Sequence, residues 1–223
     1  MFKLPNPFHK PIRWFTSDLH FGHKNVITYC DRPWATVEEM NEALIKIWND
    51  TVHPKDTVYC LGDFSMSPRV MEEISAKLNG HKILVAGNHD RCFAWNGKPR
   101  TRELIRYSAA GWEVHQTLDL ELKDGTNILL SHLPYHDPET KQHDVRYLEY
   151  RPQDKGQFLL HGHQHAKYLK AGRKIDVGID NNFSLYNEDY IIKLIKDNED
   201  FIPSRLTGKV VSKHGDPKET EGN

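Results

Sequence analysis

The chain has little cysteine and no long apolar run. Its three cysteines, Cys30, Cys60 and Cys92, are far apart and form no Cys-x-x-Cys pair. This argues against a disulfide framework and structural zinc, and it fits a reducing compartment. Residues 1–10 lack the apolar region of a secretory signal, and no segment approaches the roughly 18 uninterrupted apolar residues of a membrane span. These absences predict a soluble, cytoplasmic protein without a membrane partner.

The chain also lacks an excess of charge of either sign. Thirty Lys and Arg residues against 31 Asp and Glu give a net charge of −1, so a nucleic-acid or anionic membrane partner would have to be recognised locally. Two catalytic motifs are absent as well. The Gly-Lys pairs at 97–98 and 208–209 precede Pro99 and Val210 rather than Ser or Thr, and there is no Gly-x-Ser-x-Gly elbow. These absences argue against a nucleotide-dependent motor or kinase and against a serine hydrolase.

Alternating periodicities predict one α/β domain over residues 1–202. The chain has 223 residues, 38% hydrophobic and 27% charged, which suits a single core. Strands are predicted at 12–17, 58–61, 83–86, 112–117, 118–122, 127–131, 158–160 and 174–177. Helices are predicted at 24–29, from the N-cap Thr36, from Ser67 to Leu78, at 101–110 and at 188–196. This order is typical of two mixed β-sheets packed face to face and flanked by helices.

Two polar stretches lie outside this pattern. Residues 134–156 have no clear periodicity and are predicted to form a functional or a flexible loop, in which His136 and Arg146 are the first candidates for a role. Residues 203–223 are poor in apolar side chains and are predicted to be a flexible C-terminal tail. The mixed charges of this tail argue against a nucleic-acid-binding arm.

Five of the predicted strands lead directly into polar residues. The run 83–86, for example, is followed without a spacer by Gly87, Asn88, His89 and Asp90. Because α/β sheets place their chemistry at the carboxyl ends of strands, the polar side chains after these five strands are expected to converge. The predicted metal ligands among them are Asp18, His20, Asp63, Asn88, His132, His163 and His165.

These ligand types point to catalytic rather than structural metal. One such Asp at a strand end is usually a turn or cap residue, but a joint set of carboxylates, imidazoles and a carboxamide without thiolate suits Mn, Fe, Co, Ni or Zn. Seven ligands are too many for one tetrahedral ion and suit two ions about 3.5–4 Å apart, which is the arrangement used in phosphoryl transfer. The Asp-x-His and His-x-His pairs are expected on extended backbone, where alternate side chains face one cleft.

Five motifs in this order resemble those of the calcineurin-like metallophosphoesterase superfamily. They are Asp18-Leu19-His20, Gly62-Asp63, Gly87-Asn88-His89-Asp90, Ser131-His132 and Gly162-His163-Gln164-His165. The stretch 18–25, with Arg32-Pro33 after it, further resembles a small, uncapped subgroup of bacteria and phages.

The resemblance implies an α-β-β-α sandwich and two divalent ions, with Mn expected first and Fe, Zn, Co or Ni as alternatives. Asp63 would bridge the two ions. The resemblance implies that Asp18, His20 and His165 complete one set, and that Asn88, His132 and His163 complete the other.

The expected mechanism is in-line attack on phosphorus by a metal-bridging hydroxide, with His89 as the general acid that protonates the leaving oxygen. The family usually orients this histidine with a carboxylate or a backbone carbonyl. In the protein phosphatases the carboxylate follows the Gly-Asp motif, and here residues 64–67 offer none. This departure argues against a protein phosphatase. Asp90 is expected to stabilise the turn, with Gly87 allowing the bend, and His161 is expected to pack or hydrogen-bond behind the ligands.

His23 and Arg32 are predicted to contact the substrate because the loop after the first motif must border the metals. A monoesterase holds a dianion and usually adds arginines for it, whereas only Arg32 and Arg91 lie close to the motifs. The prediction is therefore a phosphodiesterase that acts on a nucleotide or a nucleic-acid end. The alternatives are a phosphomonoesterase and a non-catalytic metal-binding scaffold. The sequence does not indicate an oligomeric state.

Overall fold

Strands and helices alternate through the first half of the chain. The computed structural model describes residues 9–98, 100–136 and 147–204. The elements of this half are β1 (Arg13–Thr16), α1 (Lys24–Tyr29), α2 (Val37–Thr51), β2 (Thr57–Cys60), α3 (Pro68–Ser75), β3 (His81–Val85), α4 (Thr101–Ala109) and β4 (Trp112–His115). Arg146, most of the predicted tail and part of the predicted loop 134–156 lie outside the described residues.

Local sequence sets the starts of the two longest helices of this half. The Thr36 hydroxyl accepts a hydrogen bond from the Glu39 amide at 3.2 Å, as the capping box predicts. The Glu39 carboxylate reaches back one residue further than expected and accepts from the Ala35 amide at 2.9 Å. At α3 the Ser67 side chain caps the helix and Pro68 occupies its first turn.

Helix α3 ends at Ser75, three residues before the predicted end at Leu78. The amides of Lys77 and Leu78 bond to the carbonyls of Ile74 and Ser75, three residues back in each case. The chain therefore tightens into 3₁₀-type turns and leaves the helix early.

The second half of the chain is mostly β structure, as predicted. Its elements are β5 (Thr117–Glu121), β6 (Asn127–Ser131), β7 (Phe158–His161), β8 (Lys170–Ala171), β9 (Lys174–Asp176), β10 (Tyr186–Asn187), α5 (Glu188–Lys196) and β11 (Phe201–Ile202). Strands β8, β10 and β11 were not predicted, because two residues are too few to show a period.

The strands form two mixed sheets, which confirms the predicted fold class. The first sheet has the order β10-β1-β2-β3-β4 and the second has the order β11-β8-β9-β7-β6-β5. In the first sheet β1 to β4 are mutually parallel, and in the second β6, β7 and β9 are parallel. The carboxyl ends of these parallel strands therefore meet at one edge of each sheet.

Side chains alternate between two apolar layers along the central strands. Phe15 and Tyr59, which are paired in register, point between the sheets, where their rings stack 5.3 Å apart in a buried cluster with Leu130, Leu160 and Ile175 of the second sheet. On the other face, Val58, Cys60 and Leu84 pack with Met40, Leu44 and Trp48 of α2. No helix in the described parts of the chain has the length and apolarity to cross a bilayer.

Candidate metal centre

The loops after β1 and β2 run side by side at the carboxyl edge of the first sheet. The Asp18 amide donates to the Gly62 carbonyl at 3.0 Å, and the His20 amide donates to the Asp63 carbonyl at 2.9 Å. The second sheet approaches the same place, because the His163 amide donates to both oxygens of Asp18 at 3.0–3.1 Å. The structure thus brings the predicted ligand-bearing loops together.

The backbone at five predicted ligands is left-handed. The φ angles are +58° at Asp18, +52° at His20, +52° at Asp63, +70° at His163 and +47° at His165. The prediction that the Asp-x-His and His-x-His pairs lie on extended backbone is therefore wrong. Non-glycine residues adopt this conformation at a cost that the surrounding structure must offset, and such residues cluster at functional sites.

The Asp63 carboxylate lies at the centre of the cluster. Its Oδ2 is 3.6 Å from His20 Nε2, 3.4 Å from His132 Nε2 and 4.0 Å from His89 Nε2. Two atoms bound at about 2.1 Å to one ion lie roughly 3.0–3.4 Å apart, so the separations from His20 and His132 leave room for a cation on either side of Asp63. A carboxylate in this position suits a bridge between two ions.

On one side of Asp63 lie Asp18, His20 and His165. Asp18 Oδ1 is 4.0 Å from His20 Nε2 and 3.9 Å from His165 Nε2. Both ring nitrogens of His20 are buried without a hydrogen-bond partner among the described residues. A buried imidazole with no partner costs free energy, and a cation at this position would satisfy it.

On the other side lie Asn88, His132 and His163. His132 Nδ1 is 2.8 Å from the Leu61 carbonyl, which fixes the ring with Nδ1–H donating and leaves Nε2 as the ligand atom. His132 Nε2 is 3.1 Å from Asn88 Oδ1. The His163 ring lies edge-on to the His132 ring, with centroids 5.3 Å apart.

The protonation states at His20 and Asp63 suit metal binding. Burial lowers the pKa of His20 well below its ordinary value, so this imidazole is neutral. Burial would raise the pKa of Asp63, but the charge of His132 outweighs it and holds this pKa well below the usual range. Burial likewise lowers the pKa of His132, and the charge of Asp63 then raises it to about 9. A cation bound at His132 would displace that proton.

Two glycines are required by close backbone approach at this centre. A Cβ on Gly87 would lie 2.3 Å from Asp63 Oδ1, and a Cβ on Gly162 would lie 2.2 Å from Asp18 Oδ2. Neither glycine has a positive φ, so the predicted reason for Gly87, freedom to bend, is wrong. Gly87 is required because only a residue without a side chain lets the backbone lie against the Asp63 carboxylate.

Asp90 stabilises the turn, as predicted. Its buried carboxylate accepts hydrogen bonds from the amides of Asp63 at 2.8 Å, Phe64 at 3.1 Å and Gly87 at 2.9 Å. It therefore joins the loops after β2 and β3. His161 behaves as predicted too, since it is fully buried and its Nε2 is 3.2 Å from the Tyr168 hydroxyl.

His89 and His23 lie at the open side of the cluster. The His89 side chain is 39% exposed, and its ring centroid is 5.5 Å from that of His20 and 6.5 Å from that of His23. The His89 amide donates to Asp63 Oδ1 at 2.9 Å, which fixes the backbone. Among the described residues no carboxylate other than Asp63 lies within ion-pair distance of the ring.

Arg32 does not face the cleft, so its predicted substrate contact is not supported. The guanidinium has no exposed surface. Its Nε and Nη2 donate to the two oxygens of Asp180 at 2.7 and 3.0 Å. Nη1 donates to the Leu19 carbonyl at 2.9 Å, and Nη2 also donates to the Asp18 carbonyl at 2.6 Å. Arg32 therefore stabilises the loop after β1 from within the protein interior.

Asp180 and Cys30 contact the predicted ligand His165, although neither was predicted to lie at the site. Asp180 Oδ2 is 2.8 Å from His165 Nδ1, and Cys30 Sγ is 3.2 Å from the same nitrogen. A carboxylate at the far nitrogen orients a ligating imidazole. Asp180 lies four residues after the end of β9, so its position after a strand is the same signal that predicted the other site residues. No comparable signal exists for Cys30, whose approach to His165 depends on tertiary packing.

Comparisons with known proteins agree with this geometry. The family model described as the calcineurin-like phosphoesterase superfamily domain matches residues 14–177. The Gene 66 protein of Mycobacterium phage D29 is 34% identical over 203 residues, covering 84% of this chain and 97% of the relative. An uncharacterized protein of Methanocaldococcus jannaschii is 32% identical over 195 residues, covering 82% and 90%. A crystal structure of an Aquifex aeolicus protein of unknown function aligns with a TM-score of 0.58 and 25% identity, over 83% of this chain and 100% of that one.

Proposed function

This chain belongs to the calcineurin-like phosphoesterase superfamily, and we propose that it hydrolyses a phosphodiester of a nucleotide or a nucleic-acid end. Membership implies metal-dependent hydrolysis of a phosphate ester. The observation that carries the proposal is the position of Asp63, whose Oδ2 lies within 4.0 Å of His20, His132 and His89. The three free thiols suit a reducing, cytoplasmic setting.

Two divalent cations, with Mn²⁺ as the first candidate, would be held on either side of Asp63. Asp18, His20 and His165 would complete one set of ligands, and Asn88, His132 and His163 would complete the other. Such a pair of ions activates water toward phosphorus and neutralises charge on the phosphoryl oxygens. The left-handed loops and the glycine contacts hold these side chains in place before substrate binds, so the site is preorganised.

His89 is the proposed general acid. It directly follows Asn88, its side chain is partly exposed, and Asp63 has nearer imidazole neighbours on both sides. The His89 ring is therefore free to hold a proton toward the substrate and to pass it to the leaving oxygen as the P–O bond breaks. His23, whose Nδ1 is buried and unbonded among the described residues, is proposed to orient the substrate beside it.

A diester is favoured over a monoester by the placement of Arg32. A monoester dianion is usually held by arginine forks, and the Arg32 guanidinium is already used by Asp180 and two carbonyls. Of the two arginines near the motifs, only Arg91 is exposed. A diester monoanion has less charge to neutralise and suits a cleft with fewer cations.

The test compares two p-nitrophenyl substrates on the manganese-loaded protein. We expect a higher kcat/KM for bis(p-nitrophenyl) phosphate than for p-nitrophenyl phosphate. The reverse preference would identify a phosphomonoesterase. Inertness toward both substrates, with manganese bound, would favour a scaffold.

A further inference from the structure

Residues 91–102 run from the turn that carries Asn88 and His89 into the first turn of α4, and the charge of this segment differs from that of the whole chain. It contains four cations and no acidic residue, whereas the chain has a net charge of −1. The cations are Arg91, Lys98, Arg100 and Arg102, and all four are exposed. None of them forms an ion pair with another described residue.

Several arginines outside this segment form ion pairs. Arg69 pairs with Glu73 at 2.7 Å, Arg106 with Glu72 at 2.8 Å and Arg173 with Asp154 at 2.6 Å. In residues 91–102, by contrast, four cations follow one another within twelve positions with no acidic residue among them. The segment begins two residues after His89, the proposed general acid.

Aromatic rings connect this segment to the metal centre. The Tyr147 ring is 5.8 Å from that of His163, and the Trp95 ring is 5.6 Å from that of Tyr147. Trp95 is 37% exposed, and it rests on the buried Phe93, whose ring centroid is 4.9 Å away. A row of rings thus runs outward from a predicted ligand to an exposed indole.

The backbone beneath Trp95 is held in place. The Gln116 side chain accepts a hydrogen bond from the Ala94 amide at 2.7 Å and donates to the Cys92 carbonyl at 3.2 Å. Cys92 is fully buried. A ring supported in this way loses little freedom when a second ring stacks on it.

We propose that residues 91–98 and 100–102, together with Tyr147, bind a single strand of nucleic acid and lead it to the metal centre. Trp95 stacks on a base, and Lys98 and Arg100 contact backbone phosphates. Exposed aromatic rings interleaved with cations are the combination that binds single strands without strong sequence preference. The inference rests on the proposed function, since it names the class of diester that the site would cleave.

Binding is measured on the full-length protein in a chelator, so that no cleavage occurs, by the fluorescence anisotropy of fluorescein-labelled oligothymidylate. We expect Trp95→Ala to weaken binding about tenfold. The double variant Lys98→Ala/Arg100→Ala should reduce the slope of log K against log salt concentration by about 1.4, because two phosphate contacts are lost.

Two matched variants serve as controls. Phe201→Ala removes a ring that is 57% exposed on β11, and Lys77→Ala removes an exposed cation that precedes β3, at the opposite end of the sheet. Both should bind the oligonucleotide as tightly as the parent protein.

Unchanged affinity of Trp95→Ala, or equal weakening by the control variants, would overturn the proposal. If Trp95→Ala binds more weakly but the salt slope of Lys98→Ala/Arg100→Ala is unchanged, the site binds a single nucleotide and not a strand. Hydrolysis of bis(p-nitrophenyl) phosphate is measured separately. If the diester is hydrolysed but the oligonucleotide is not bound, this inference fails and the proposed function stands. If the oligonucleotide is bound but the diester is not hydrolysed, the proposed function fails and the binding site stands.

Discussion

Arg32 and Asp180 form a buried, two-bond ion pair behind the proposed metal centre, although they are 148 residues apart in the sequence. Asp180 also contacts His165 Nδ1, and Arg32 also bonds to the carbonyl of Asp18. One ion pair therefore supports two predicted ligands that come from opposite ends of the domain.

We predict that Asp180→Asn weakens metal binding about 10- to 100-fold, because a carboxylate behind an imidazole ligand orients the ring and raises its basicity. Titration calorimetry with Mn²⁺ on the metal-free protein would measure this. Asp154→Asn is the control, since Asp154 pairs with Arg173 at the surface. Equal affinity of Asp180→Asn and the parent would show that Asp180 does not act on His165.

Arg32→Ala should destabilise the fold by about 3–5 kcal/mol, because the buried Asp180 carboxylate loses both guanidinium hydrogen bonds and keeps only its contact with His165. Urea unfolding of the metal-free protein gives this free energy. Arg173→Ala, which breaks an exposed pair, should cost less than about 1 kcal/mol. If the two variants are equally stable, the buried pair contributes no more than a surface one.

His89→Ala should lower kcat by about 10²–10⁴-fold on a diester with an alkyl leaving group, since such a group needs protonation. The effect should be smaller with p-nitrophenolate, which leaves without a proton. Metal content, measured by plasma mass spectrometry, should be unchanged in His89→Ala and reduced in Asn88→Ala. Full activity of His89→Ala on the alkyl ester would reject the general-acid role.

Gly87→Ala should reduce metal content and activity, because the new methyl group would lie 2.3 Å from Asp63 Oδ1 and displace it. The matched control is Gly172→Ala, where a Cβ meets nothing within 4 Å but φ is +56°. The control carries only the backbone cost of about 1–2 kcal/mol and should retain its metal. Retention of metal and activity by Gly87→Ala would show that the Asp63 loop can move.

Asp56 should contribute stability that depends on pH. Burial acts to raise its pKa, but hydrogen bonds from His9, Ile12, Trp14 and His53 outweigh this effect and lower the pKa below 3.8. Because the folded-state pKa is the lower one, the contribution is complete above the unfolded-state value and is lost as pH falls through the folded-state value. Urea unfolding across pH 3–7 should show Asp56→Asn less stable near neutrality by about 1–3 kcal/mol, with the difference narrowing in acid. A constant difference would contradict this account.

Much of the fold was predictable from local rules. Thr36, Ser67 and Asn187 cap helices through their own side chains, so the starts of α2, α3 and α5 are encoded within three or four residues. Strand ends were predictable because an apolar run stops where the chain leaves the core. The two-residue strands β8, β10 and β11 carry no such signal, since they depend on hydrogen bonds to partners already in place.

Which side chains gather at the site follows from the order of residues along the chain, because parallel strands end at one edge of a sheet and each predicted ligand follows a strand. The backbone conformation at these residues does not follow from that order. The left-handed backbone at Asp18, His20 and Asp63 is unfavourable in an isolated chain and persists only because neighbouring loops bond to it. The position of Arg32 likewise depends on tertiary structure. Arg32 is close to the first motif in the sequence, but its guanidinium is buried because the carboxylate of the distant Asp180 accepts two hydrogen bonds from it.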